Sequence, residues 1–180
     1  MVSKKLYEGL ESEEKYRSLF EFAPDGIYLN DLKGNFVDSN KIMEELTGYK
    51  KKELIGKNFL KLRLLSPMQI PKVAALLSKN MLGKSTGPDE FVLNHKDGSK
   101  VVIEIRTIPV KIKDKTLVFG IAHDITHRKI AEEEIKRAKD ELQSKVKEME
   151  RFNKLAVGRE LKMIELKKKI KKLESERINL

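Results

Sequence analysis

Few side chains in this chain are equipped for bond chemistry. None of the 180 residues is a cysteine, which removes disulfides, thiolate nucleophiles and cysteine-based metal sites. The three histidines, His95, His123 and His127, are too scattered to form a metal-ligand pattern on one helix. Met81 closes an apolar stripe and reads as core rather than as a ligand. His95 stands beside the turn pair Asp97-Gly98 and His123 near the end of a strand, so both read as solvent-facing. The polar group with a clear task is Asp124-Ile125-Thr126. It offers two short side-chain acceptors to the free N–H groups of a helix's first turn, and Arg128 lies close enough to pair with Asp124.

The elements that position this junction follow from periodicity. Leu117, Phe119 and Ile121 recur every second residue, as in a half-buried strand, whereas Ile130, Ile135 and Ala138 recur at helical intervals. A compact domain therefore ends on its last strand and continues into a long helix without a spacer.

Composition narrows the class. With 39% hydrophobic and 37% charged residues the chain reads as soluble, and its length allows one domain plus an extension or two small domains. No apolar run approaches the roughly 18 residues of a membrane span, and no signal-peptide core follows Met1, so the expected location is cytoplasmic. The net charge of +10 is spread, +6 from Arg128 onward and +4 before it. Such an excess fits nucleic acid or anionic membrane, or simply a solvated Lys/Glu-rich surface, and its even spread favours the latter.

Along the chain, residues 3–22 predict a helix ended by Pro24. Two strands follow, Gly26–Asn30 and Asn35–Asp38, joined by a turn at Asp31–Gly34. Ser39 and Asn40 can cap a helix carrying Ile42, Met43 and Leu46 that Gly48 ends. Short helical pieces are expected at Lys51–Ile55 and Asn58–Leu64. A helix from Pro71 to about Leu82 buries Val73, Leu76 and Leu77. After a loop at Gly83–Pro88 come the strand Glu90–Asn94, a hairpin at Asp97-Gly98, and a strand with Val101, Ile103 and Ile105 on one face. Ile108, Val110 and Ile112 then change parity around Pro109, predicting a bulge or bend near Thr107–Pro109. Leu117–Ala122 is the fifth strand. The fold class is α+β, a five-stranded antiparallel sheet covered by helices on one face.

Four of these segments resemble, in order and spacing, the PAS (S-box) sensor domain. They are EKYRSLFEFAPDGIY (14–28), VDSNKIMEELTGYKKKELIGK (37–57), NHKDGS (94–99) and FGIAHDITHRK (119–129). The resemblance covers about Glu13–Lys129, giving an N-terminal helix at 1–22, a PAS-like domain at 13–127 and a helical tail at 128–180. It implies a pocket between sheet and central helix that holds haem, flavin, an organic acid or only side chains. The candidates are Ile27, Leu29, Phe36, Met43, Phe59, Val73, Leu77, Phe91, Ile103, Phe119 and Ile121; the other reading is that they simply pack the core, which a domain this small needs. The family's flavin-adduct cysteine is missing, and the central helix lacks the histidine usual in haem-binding members. The cofactor is therefore unknown, with neither flavin-cysteine photochemistry nor stably bound haem expected.

The tail carries a heptad repeat for more than six heptads. Ile135, Leu142, Met149, Ala156, Met163 and Ile170 hold one seam position; Phe152, Leu166 and Leu173 hold the other, with Ala138, Lys145 and Arg159. Such a seam implies a partner helix, and an identical chain is the simplest, so a parallel homodimer is expected. Lys145, Gly158 and Arg159 mark either a hinge or an imperfect coil. Residues 152–162, FNKLAVGRELK, also resemble the phosphoacceptor helix of sensor histidine kinases. Arg159 occupies the histidine slot, and a guanidinium has no lone pair to attack a phosphate. No nucleotide-binding box follows.

These readings favour a non-catalytic sensor that passes its state through a dimeric coil to a downstream signalling protein such as a kinase or regulator, without membrane insertion. A partial histidine-kinase-type protein served by a separate kinase is the alternative. Third comes a nucleic-acid binder using Lys167–Lys169, Lys171 and Lys172, disfavoured because it lacks a helix-turn-helix signal or base-reading aromatics.

Overall fold

The turn after the first strand shows how local chemistry starts the sheet. Asp31 accepts hydrogen bonds from the Lys33 and Asn35 amides, each at 2.9 Å, and from the Asn35 side chain at 2.7 Å. Gly34 completes it at φ +86°, a conformation that favours glycine. In the computed structural model, which describes residues 13–178 and the side chains of 13–170, this turn joins β1 (Gly26–Asp31) to β2 (Phe36–Ser39). The expected helix at 3–22 is described from residue 13, as α1 (13–21); its first part lies outside the described residues.

Asn40 opens α2 (Lys41–Thr47) by accepting from the Met43 amide at 3.2 Å, and Gly48 closes it in the left-handed region. The Asn40 side chain does more. The same oxygen accepts from the Ile27 amide, while its nitrogen donates to the Phe20 and Asp25 carbonyls. One fully buried amide thus ties α1, the approach to β1 and the start of α2 together. The short α3 (Lys51–Leu54) buries Leu54. Residues 59–63 form turns, after an isolated bridge from Asn58 to Asn35, rather than the expected helical piece. The 3-10 turn Pro67–Gln69 leads into α4 (Ile70–Met81), which starts with proline in its first turn.

Three long strands complete the sheet: β3 (Thr86–Asn94), β4 (Lys100–Ile112) and β5 (Lys115–Asp124). The order is β2-β1-β5-β4-β3, with every pair antiparallel. The loop expected at Gly83–Pro88 is partly strand, because β3 already begins at Thr86. The bulge expected in β4 is absent too. Pairing of β4 with β5 runs unbroken from Ile103↔Asp124 to Ile112↔Lys115, and the register shift lies in β3, between Thr86 and Asp89. Pro109 is tolerated because β3 has ended opposite Thr107, leaving β4 an edge on that side. The change of parity is therefore a change of face: Ile108 and Ile112 point outward and are about half exposed.

The core lies on the other face, where Met43, Leu46, Leu54 and Leu64 pack with Phe36, Phe91, Leu93, Ile103 and Ala122. Along α4 the covered positions are Val73, Leu76, Leu77 and Asn80, the spacing of one helical stripe. The chain divides into two units, 1–129 and 130–180, and α5 (Thr126–Ile178) begins in the first. From Ile130 to Ile170 every side chain is exposed.

A lined cavity and the start of the long helix

Strand alternation sends Tyr28 and Asn30 of β1, Ile103, Ile105 and Thr107 of β4, and Val118 and Ala122 of β5 to the helix-covered face. With Phe36, Met43, Phe59, the α4 stripe and Phe91 they line a cavity of about 90 Å³. Of the candidates named from sequence, Phe36, Met43, Phe59, Val73, Leu77, Phe91 and Ile103 are brought together here. Ile27, Leu29, Phe119 and Ile121 are not. They form two cross-strand pairs, Ile27↔Ile121 and Leu29↔Phe119, on the opposite face of the sheet. The reason is steric. The Tyr28 ring lies over Gly120, where an added Cβ would collide with the ring carbon bearing the hydroxyl, so the inner face of β5 takes small residues.

The cavity wall carries polar groups that an apolar search passes over. Asn80 and Thr107, both buried, meet at 2.9 Å, with the Thr107 hydroxyl donating to Asn80 Oδ1. The Thr86 hydroxyl adds a 2.7 Å bond to Thr107, and Asn80 Nδ2 donates to the Leu76 carbonyl. Thr47 donates to the Met43 carbonyl. The signals were positional: Asn80 continues the Val73–Leu77 stripe, and Thr107 continues the parity of Val101, Ile103 and Ile105. Tyr28 is half-buried, and burial alone pushes its phenol well above the ordinary value. Both hold if its open surface faces the cavity rather than bulk water. No lining residue is charged.

At the end of β5, Asp124 accepts from the Thr126 amide at 2.8 Å, as expected of a helix cap. Thr126 behaves differently from expectation. Its hydroxyl oxygen accepts from the Val102 amide of β4 at 2.9 Å, and the Ile125 amide donates to the Val102 carbonyl at 2.9 Å. Arg128 reaches Glu104 at 3.5 Å and Glu90 at 4.0 Å, and Lys129 reaches Glu90 at 2.6 Å. The first turn of α5 is thereby fastened to β4 and β3, with Ile125 buried beneath it.

Further along α5, Ile135, Leu142, Met149, Phe152, Ala156, Met163, Leu166 and Ile170 are all exposed, and the Leu173 side chain lies outside those described. His123 is exposed as expected and pairs with Asp25 at 2.6 Å. His95 is not solvent-facing: it is half-buried against Gly48 and pairs with Asp97 at 2.7 Å. Met81 is exposed and off the cavity wall, so it is neither core nor lining. Among the described residues no helix is long and apolar enough to cross a membrane.

Comparison with known proteins agrees with this geometry. A family model described as PAS domain matches residues 24–127. The methyl sulfide methyltransferase-associated sensor of Methanosarcina acetivorans is 27% identical over 126 residues, 68% of this chain and 12% of that protein. The aerobic respiration control sensor protein ArcB of Escherichia coli is 28% identical over 124 residues, again 68% of this chain and 16% of that protein. The chain thus spans less than a fifth of these relatives. Among solved structures, a PAS domain from Colwellia psychrerythraea superposes with a TM-score of 0.56 at 27% identity, covering 63% of this chain and 97% of that one. The PAS domain of an HTR-like protein from Haloarcula marismortui gives 0.59 at 21% identity, covering 68% and 99%.

Proposed function

This chain belongs to the PAS domain family, and from that premise we propose that it is a non-catalytic sensor whose cavity takes a small ligand and whose long helix passes the outcome on. The observation that carries the reading is the cavity itself, faced by all five strands and by α4, with β5 running straight into the junction of α5. A ligand that shifts β4 or β5 acts on Thr126 and Ile125, whose hydrogen bonds to Val102 fix the first turn of α5. Asp124, Thr126 and Arg128 are the transmission residues in this reading.

Residues 128–180 pair with a second copy of the chain as a parallel coil, because seam side chains that stay in water alone are buried by a partner. The protein works in the cytoplasm, and a kinase or regulator receives the signal. Resemblance of the 152–162 segment to a phosphoacceptor helix, together with the identity to ArcB over the domain, supports a second reading: service to a separate kinase, with Arg159 barring phosphorylation of this helix. Native mass spectrometry tests the first reading. A dimer carrying a small extra mass, lost on gentle heating, supports it; a monomer that takes up no small molecule at any concentration overturns it.

A further inference from the structure

Two polar side chains that line the cavity each carry an atom with no hydrogen-bond partner among the described residues. Asn30 is 3% exposed, and its Nδ2 donates to the Asp31 carbonyl at 2.9 Å, but its Oδ1 has no hydrogen-bond partner among the described residues. The Tyr28 hydroxyl likewise has none among them. Neither atom is sealed in protein as Ser39 Oγ is, so both open onto free space, and both residues line the cavity. Their neighbours differ: Thr47, Asn80 and Thr107 are all bonded within the wall. Tyr28 and Asn30 stand two residues apart on the same face of β1, roughly 7 Å along the strand.

An acceptor held out of bulk water and left unbonded is costly, and a donor arriving from the cavity relieves that cost. The rest of the wall sets what the donor is attached to. Almost all of it is carbon, and it has no charged side chain to compensate a carboxylate, phosphate or ammonium group, so an ionic ligand would lose its hydration without replacement. Size sets the remainder. At about 90 Å³ the cavity is smaller than the roughly 150 Å³ that suffices for benzene in an apolar core, which leaves room for about four to six heavy atoms.

Resting on the sensor reading above, we propose that the cavity selects a small uncharged molecule with an apolar body and one hydroxyl or N–H group, which donates to Asn30 Oδ1 and meets Tyr28 Oη. Asn30 is the specificity-determining residue, because it accepts only from a ligand that brings a proton. Tyr28 contributes the second contact and, through its ring over Gly120, one wall of the space.

The test is a titration of the whole 180-residue chain, followed by amide NMR shifts at Ile103 and Gly120, with three probes of matched size: 1-butanol, methyl propyl ether and butyrate. Expected is tighter binding of 1-butanol than of the ether by at least tenfold, and no saturable shift with butyrate. Asn30→Leu should bring the two neutral probes to within about twofold while keeping the ether's affinity. Should that variant fail to fold, Tyr28→Phe serves instead: it removes a donor that either oxygen can accept from, so it should weaken both neutral probes while 1-butanol keeps its preference, and loss of that preference would take the selectivity away from Asn30. Equal binding of alcohol and ether by the natural chain, as when the two polar groups are served by water alone, overturns the selectivity and leaves the sensor cavity standing. Butyrate binding as well as 1-butanol does the same. Saturable binding of none of the three overturns both.

Discussion

Residues 13–129 and 130–170 hold their apolar side chains in opposite ways. In the first unit Leu54, Ile103, Val118 and Ile125 are almost wholly hidden, and side chains such as Asn40, Thr107 and Asn94 bond to segments 15 to 31 positions away. In the second, Ile135, Leu142, Met149 and Phe152 are each more than three-fifths exposed, and its described ion pairs, Arg137–Glu133 and Lys145–Glu141, are local ones four residues apart. The first unit is stabilised from within. The described residues of the second have no interior, and a lone helix of this kind is marginal in water. A fold can thus be self-sufficient over two-thirds of a chain and conditional over the rest.

Five sets of substitutions sharpen or break this contrast. The largest effect is expected from Leu142→Glu combined with Phe152→Glu, which places charges in the proposed seam. Burying them unpaired costs about 3–5 kcal/mol, so the dimer should dissociate at least a hundredfold more readily by analytical ultracentrifugation while the first unit still melts cooperatively. An unchanged dimer would place the interface elsewhere. Next, Ile103→Ala should lower the stability of the first unit by about 2–5 kcal/mol in urea unfolding, whereas Ile135→Ala should leave that transition where it is. Equal effects would erase the distinction between the units.

Thr126→Val tests the fastening between strand and helix. It leaves the part-buried Val102 amide without its acceptor and should cost about 1–2 kcal/mol. Asp124→Ala should cost about 1 kcal/mol, and spin labels on α5 should then cease to respond to a cavity-bound molecule although the protein stays folded and dimeric. A preserved response would make Asp124 an ordinary cap. The smallest effect belongs to the exposed hairpin. Hydrogen bonds from the Ser99 hydroxyl and amide, then from His95, hold the Asp97 carboxyl down at about 2 from the ordinary 3.8. A depressed acid stabilises the folded form above its ordinary value and stops doing so as pH falls through the folded one. The Asp97 contribution should therefore fade between about pH 4 and 2, and Asp97→Asn should remove that part of the pH dependence; a carboxyl resonance titrating near 4 would refute it.

The first hairpin, the capped α2 and the switch from strand to helix were legible because each is written in neighbouring residues: Asp31 with Asn35, Asn40 with Gly48, Asp124 with Thr126. The faces of β1 and β5 were not. Both strands have apolar residues on each parity, and the rule that large residues point inward chose Phe119 and Ile121. The deciding contact, the Tyr28 ring over Gly120, joins positions far apart in sequence. The same holds for Thr126, whose partner Val102 lies 24 positions back. The polar wall of the cavity was missed because Asn30, Asn80 and Thr107 stand where an apolar pattern would continue. The heptads of 135–173 were readable, and the partner helix proposed for them lies outside a single chain.

Asn40 has a consequence in time as well as in space. Its one oxygen holds the amides of Ile27 and Met43 together, and its nitrogen holds carbonyls at Phe20 and Asp25. Neither amide can be freed to solvent by a motion of its own element alone if the side chain stays put, so both are released by the same opening. Their deuterium exchange should run at one common rate, slower than that of neighbouring amides at the ends of β1 and α2. The entry of the domain and its first covering helix would then come undone as a single cooperative step, with one side chain as the latch.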